Sequence, residues 1–145
     1  LAKKNAAIVG PEYPSRAAIE IIEGNAVNIP MTGANVVLFL DNPFGTELME
    51  QLRENIERRV QNEIEHLFLI YHNSVEGRVF DSSRSLKRCY AAQLSCEASE
   101  RAFAYPSEGA TVIWQSKRNA ISVPYEQADR SIVLAAPTWA KLAPV

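Results

Sequence analysis

The chain has 145 residues, 47% of them apolar and 22% charged, with a formal net charge of −2. That composition suits one globular domain with a core of its own and excludes global disorder or two full domains. So small a charge exerts no long-range pull on nucleic acid or an anionic membrane. The pairs Arg58-Arg59, Lys87-Arg88 and Lys117-Arg118 read as solvated faces. The longest apolar runs, 36–40 and 67–71, fall far short of the roughly 18 residues a membrane span needs. No apolar leader follows residues 1–5. Cys89 and Cys96 are too few for a disulfide framework and have no nearby histidine to suggest zinc, so a cytoplasmic location is the expectation.

Residues 1–9 (LAKKNAAIV) are rich in helix formers and stop at Gly10, with Pro11 and Pro14 beyond. The chain thus opens inside a helical stretch, on Leu1, which reads as a fragment or an excised domain. Residues 18–23 (AIEIIE) predict a short β-branched strand ended by a turn at Gly24-Asn25. Residues 28–33 form a loop. Residues 35–40 (NVVLFL) are apolar without alternation, the pattern of a strand buried on both faces.

After a loop at 41–45 (DNPFG), Thr46 is a candidate cap for a helix over 46–62. Leu48, Leu52, Ile56 and Val60, with Met49 beside them, mark its apolar stripe, and Glu47 sits at the positive end of the dipole. Residues 66–71 (HLFLIY) predict a second buried strand, completing a βαβ unit. Residues 74–82 are weakly helical at best. Residues 88–95 and 111–116 then predict an antiparallel hairpin, with a further short strand near 102–105. From Asn119 the proline-punctuated tail is expected to be irregular, with residues 132–135 a segment able to dock on the body. The expected fold is α/β, a mostly parallel sheet ending in an antiparallel hairpin, with domain 1–118 and tail 119–145.

In open parallel sheets ligands bind beyond the carboxyl ends of the strands. The loops that qualify are 24–26, 41–45 and 72–73. Asn25 offers an amide suited to an adenine edge, Phe44 a flat apolar surface, and Asp41 an acceptor for a cationic or polar group. Each has a plainer reading: Asn25 as a turn former, Phe44 as a core plug, His72 as a surface histidine. Asp81 with Ser82 and Ser83 lacks a histidine partner for a hydrolase triad. No phosphate loop and no GxGxxG is present.

The stretch VVLFLDNPFGTELMEQLRENIERR, followed by HLFLIYHNSVEGRVFDSS, resembles the second half of class I S-adenosylmethionine-dependent methyltransferase domains. In one subgroup of these a strand ending in NPFG precedes a long helix and the next strand ends in YxNP. IEIIEGNAVNIPM is similar to the family's GDA segment, and LAKKNAAIV to the helix before it. The likeness spans residues 1–118 and rests on the order of these segments.

The resemblance implies a Rossmann-like three-layer sandwich, N-terminally truncated, whose first strand, glycine-rich loop and ribose-binding acid lie before Leu1. It implies S-adenosylmethionine as cofactor, with Asn25 and Ala26 against the adenine and Asp41 bordering the methionine end. Asn42 would orient the methyl acceptor as the catalytic residue, with Pro43, Phe44 and Asn73 binding it. Asn25 stands where the family usually has Asp, and Ser74 where it has Pro. The acceptor is unspecified, and the fragment alone is expected to be inactive. The alternative is a non-catalytic α/β interaction module that self-associates through an exposed sheet edge. A flavodoxin-like receiver fits less well, because of the terminal hairpin.

Overall fold

The computed structural model describes residues 3–4, 7–8, 20–41, 44–93 and 110–121. Lys3, Lys4, Ala7 and Ile8 are all helical, as the N-terminal composition predicts. A 3-10 turn at Ala26–Asn28 leads to β1 (Asn35–Asp41), α1 (Thr46–Asn62), β2 (His66–His72), the single turn α2 (Arg78–Asp81), β3 (Leu86–Gln93) and β4 (Ala110–Ser116). The strands form one sheet in the order β1-β2-β4-β3.

β1 and β2 pair in parallel, as the βαβ pattern predicts. β4 then pairs antiparallel with both β2 and β3. Three strands therefore point one way and β4 the other, so the sheet is mixed and open, with one parallel and two antiparallel ladders. The antiparallel hairpin is as expected. It is β4, the later strand, that inserts next to β2.

α1 is built on the predicted span. Its stripe is Met49, Leu52, Ile56 and Val60, all at most 3% exposed, each worth roughly 1.5–3 kcal/mol when moved from water into the core. Leu48, one residue out of phase, flanks the stripe and is 39% exposed. Thr46 does not cap the helix. It is the first helical residue, and Gly45 precedes it as cap with no side-chain bond, its carbonyl accepting from Met49 N–H at 3.1 Å. A backbone acceptor at Gly45 closes the first turn, so no hydroxyl is needed there.

Two expectations for strands are corrected. Residues 20–23 of the predicted strand at 18–23 are not strand; no neighbouring strand is hydrogen-bonded to them, and β-branched composition without a partner ladder does not make a strand. The second concerns β1, expected to be buried on both faces. It is an edge strand among the described residues, with Val37 and Phe39 66% and 65% exposed. Val36, Leu38 and Leu40 on its other face pack against the core. The predicted strand at 102–105, the end of that at 88–95 and most of the tail lie outside the described residues.

The core lies between α1 and one face of the sheet, with Leu67, Leu69, Tyr71, Val112 and Trp114 supplied by the strands. Phe80 of α2 plugs its end, edge-on to Tyr71 with ring centroids 6.2 Å apart and 5.5 Å from Trp114. Asp81 ties this end together. Its Oδ1 accepts from Trp114 Nε1 at 2.9 Å and from Arg88 Nε at 3.0 Å, while Arg88 Nη2 binds Oδ2. The guanidinium lies 5.6 Å from the Trp114 ring centre. Asp81→Ala removes the shared acceptor of a buried indole N–H and a guanidinium. It is expected to cost about 2 kcal/mol, because a truncated partner leaves desolvated donors behind. Chemical denaturation of the variant checks this, and a loss below about 0.5 kcal/mol would match an ordinary exposed ion pair instead.

Candidate functional site

The carboxyl ends of β1, β2 and β3 share one edge of the sheet, where the register aligns Asp41, His72, Thr111 and Ala92 across the four strands. This row is hydrogen-bonded. His72 Nδ1 lies 2.9 Å from Thr111 Oγ1. Asn73, immediately after β2, adopts φ +50°, a left-handed conformation that Asn tolerates better than most residues. That turn carries its amide back over the edge, and Nδ2 donates to Asp41 Oδ1 at 3.1 Å. Two residues named from separate loops, Asp41 and Asn73, are thus in contact.

Beside the free edge of β1 a cleft of about 210 Å³ opens to solvent. Leu38, Phe39, Leu40 and Asp41 of β1 form one wall, Ala26, Ile29 and Met31 of the preceding segment another, and Phe44 and Leu52 complete it. The wall at residues 26–31 stands where it does for local reasons. Asn25 Oδ1 accepts from Val27 N–H at 3.0 Å and closes the 3-10 turn, an Asx-type cap. Val27 and Met31 are buried, and the Val27 carbonyl accepts from Asn55 Nδ2 of α1 at 2.8 Å. The segment is therefore pinned to the helix and faces the strand across the cleft.

Of the residues named from sequence, Ala26, Asp41 and Phe44 line this cleft together, although they come from three separate stretches of chain. Asn25 adjoins it with its oxygen engaged in the turn, as the plainer reading of that residue has it. Asn73 reaches it only through Asp41. Asn42 and Pro43 lie outside the described residues. Sequence reasoning missed Ile29, Met31 and Leu52 as cleft walls and Thr111 as the partner of His72. Leu52 was identified only as core, and nothing in the spacing announces that the Ile29–Met31 loop folds against β1.

Tyr71, one residue before His72, has its phenol pushed up to about 12 by burial, with the charges of Glu76 and Asp41 adding to the effect, so it stays neutral at physiological pH. Among the described residues no three His, Cys, Asp or Glu side chains converge to hold a metal ion. Cys89 is buried, its thiol 3.5 Å from the Ile113 carbonyl. No helix among the described residues is long and apolar enough to cross a membrane. What the arrangement offers is an apolar slot with one exposed carboxylate at its rim, suited to binding and orienting a flat or partly cationic ligand. The chain was compared with protein-family models, with curated proteins and with solved structures, and none of the three matches it.

Proposed function

We propose that the chain forms the acceptor-side part of an S-adenosylmethionine-dependent methyltransferase domain. The observation that carries this reading is the convergence of Ala26, Asp41 and Phe44 on one cleft at the carboxyl edge of the sheet. The resemblance implies the cofactor for the first two of these and the methyl acceptor for the third. The apolar walls suit a purine face, and the Asp41 carboxylate suits the cationic end of an amino acid or sulfonium. The residues present thus fit part of the cofactor, its adenine face and its cationic end.

When bound, the cofactor supplies a methyl group on sulfur, open to displacement by a nucleophilic atom. The tasks left to this chain are alignment and exclusion of water, for which an apolar slot is suited and a strong base is unnecessary. Asn42 is assigned the orientation of the acceptor and Asn73 the positioning of Asp41.

Calorimetric titration of S-adenosylmethionine into the protein tests the reading. Binding is expected, and Asp41→Asn is expected to weaken it by about tenfold or more, the effect of neutralising one charged hydrogen-bond partner, with thermal stability unchanged. No heat of binding to the wild type, with the fold verified by circular dichroism, would sink the proposal.

The second reading, a non-catalytic α/β interaction module, is favoured by one observation, the exposed edge and apolar face of β1. Unpaired strand edges of this kind are templates for association. It requires a dimer by light scattering together with no cofactor binding.

A further inference from the structure

The wall of the cleft at residues 25–32 is held differently from the strand that faces it. Its hydrogen bonds are mostly its own. Val27 N–H donates to Asn25 Oδ1 at 3.0 Å, Asn28 N–H to the Asn25 carbonyl at 3.0 Å, and Ile29 N–H to the Ala26 carbonyl at 3.3 Å. Among the described residues one hydrogen bond joins this segment to the body, from Asn55 Nδ2 of α1 to the Val27 carbonyl at 2.8 Å. Two apolar anchors accompany it, Val27 and Met31, 3% and 4% exposed. Ala26 is half-buried, and the other residues from Asn25 to Thr32 are exposed. A segment bonded within itself and anchored at few points can leave as a unit, well before the domain unfolds.

Both ends of the segment are glycines, Gly24 and Gly33. Gly33 sits at φ +101°, a conformation that residues with a side chain rarely adopt. Immediately after it the chain is fixed. The Ala34 carbonyl accepts from the N–H groups of Glu65 and His66 at 2.8 and 3.0 Å, and β1 begins at Asn35. Gly33 therefore marks the boundary between a lightly held segment and the sheet. A change of backbone angle there moves the wall without disturbing the strand.

The size of the cleft gives that freedom a use. Its volume of about 210 Å³ is below the roughly 300 Å³ at which pockets for small organic ligands begin. β1 is paired along its whole length with β2, and Leu52 belongs to α1. The segment carrying Ala26, Ile29 and Met31 is thus the wall free to yield.

We propose that residues 25–32 are a hinged wall that swings away from α1 about Gly24 and Gly33 to admit the ligand, and that Asn55 is the positioning residue that latches it shut. The role in admission rests on the cleft being the binding site proposed above, whereas the hinge itself is tested without ligand.

Val27→Cys, in a Cys96→Ser background of the full chain, places a thiol at the buried anchor. Cys89, buried in β3, is the internal reference for global unfolding. Under native conditions the thiol at position 27 is expected to be alkylated roughly tenfold or more faster than Cys89. Adding Asn55→Ala is expected to raise that rate about fivefold, the effect of one hydrogen bond on the opening equilibrium. Gly33→Ala is expected to raise it too, since an added Cβ meets nothing nearer than the Asn35 carbonyl at 4.0 Å and strains only the backbone. Neither variant is expected to change the rate at Cys89. Equal rates at the two thiols would overturn the hinge, as would variants that leave the rate at position 27 unchanged or raise both rates alike. S-adenosylmethionine at a concentration that saturates calorimetric binding is expected to slow alkylation at position 27, and an unchanged rate with ligand bound would overturn the gating role. A missing heat of binding strikes the cofactor reading and not the hinge, which the ligand-free rates decide.

Discussion

Replacing Trp114 with alanine is expected to destabilise the domain by about 4 kcal/mol, the usual cost of emptying a large aromatic site in a packed core. The indole is fully buried, packs on Phe80, and donates Nε1–H to Asp81 at 2.9 Å while Arg88 lies over its face. Truncation therefore removes dispersion contacts, a charge-assisted hydrogen bond and the support of the Asp81 clasp in one step. A domain of this size has a total stability of roughly 5–15 kcal/mol, so the variant is expected to be partly unfolded at body temperature. Trp114→Phe keeps most of the ring volume and loses only the N–H, so it is expected to cost much less. Urea titrations of both variants followed by circular dichroism check the pair. Equal losses would show that the hydrogen bond, and not the packing, dominates at this site.

Glu57→Ala is expected to cost about 2–3 kcal/mol, a value typical of losing hydrogen bonds to a charged acceptor. Glu57 projects from α1 and holds the segment between α2 and β3. Its Oε1 accepts from Ser83 Oγ at 2.6 Å and from Arg84 N–H at 3.0 Å, and Oε2 from Arg53 Nη1 at 2.9 Å. Ser83 in turn accepts from the backbone N–H groups of Ser85 and Leu86, at 3.2 and 3.1 Å, so the start of β3 hangs on this carboxylate.

Burial by itself would raise the Glu57 carboxyl; the bonds from Ser83 and Arg84, with Arg53, outweigh it and hold the group below its ordinary value of 4.5. The unfolded chain then binds the proton more readily than the native one. The stabilisation is full above that ordinary value and is lost as pH falls through the lower native one. Glu57→Gln removes the ionisation while keeping the shape. Its stability is expected to be lower than wild type near neutrality and to converge toward it on acidification. A constant gap between the two proteins down to strongly acid pH would show that Glu57 does not titrate below its ordinary range.

Several elements were legible because a single local signal dominates them. The stripe of α1 repeats over four turns, and any register other than 3.6 residues would place Glu and Arg in the core. Residues 67–71 are continuously apolar, end before Asn73-Ser74 and are too short for a helix, so a strand is the remaining choice. The composite site was partly legible for another reason. Loops at the carboxyl ends of parallel strands must meet at one edge, and Asp41 and Asn73 do. Residues 20–23 were misread since a strand exists only with a partner, and their Ile-rich composition carries no information about one. The exposure of Val37 and Phe39 was invisible for the same reason, because burial on the second face depends on what the rest of the chain lays over it.

The sequence by itself determined the elements with strong internal period, the parallel βαβ pairing and the antiparallel character of the last two strands, all of which follow from short-range pattern and turn chemistry. Only the tertiary structure decided that β4 inserts between β2 and β3, that the Ile29–Met31 loop walls a cleft against β1, and that Asp81 joins Trp114 to Arg88. These depend on contacts between residues far apart in the chain, whose energies are comparable for many alternative partners until the packed core selects one.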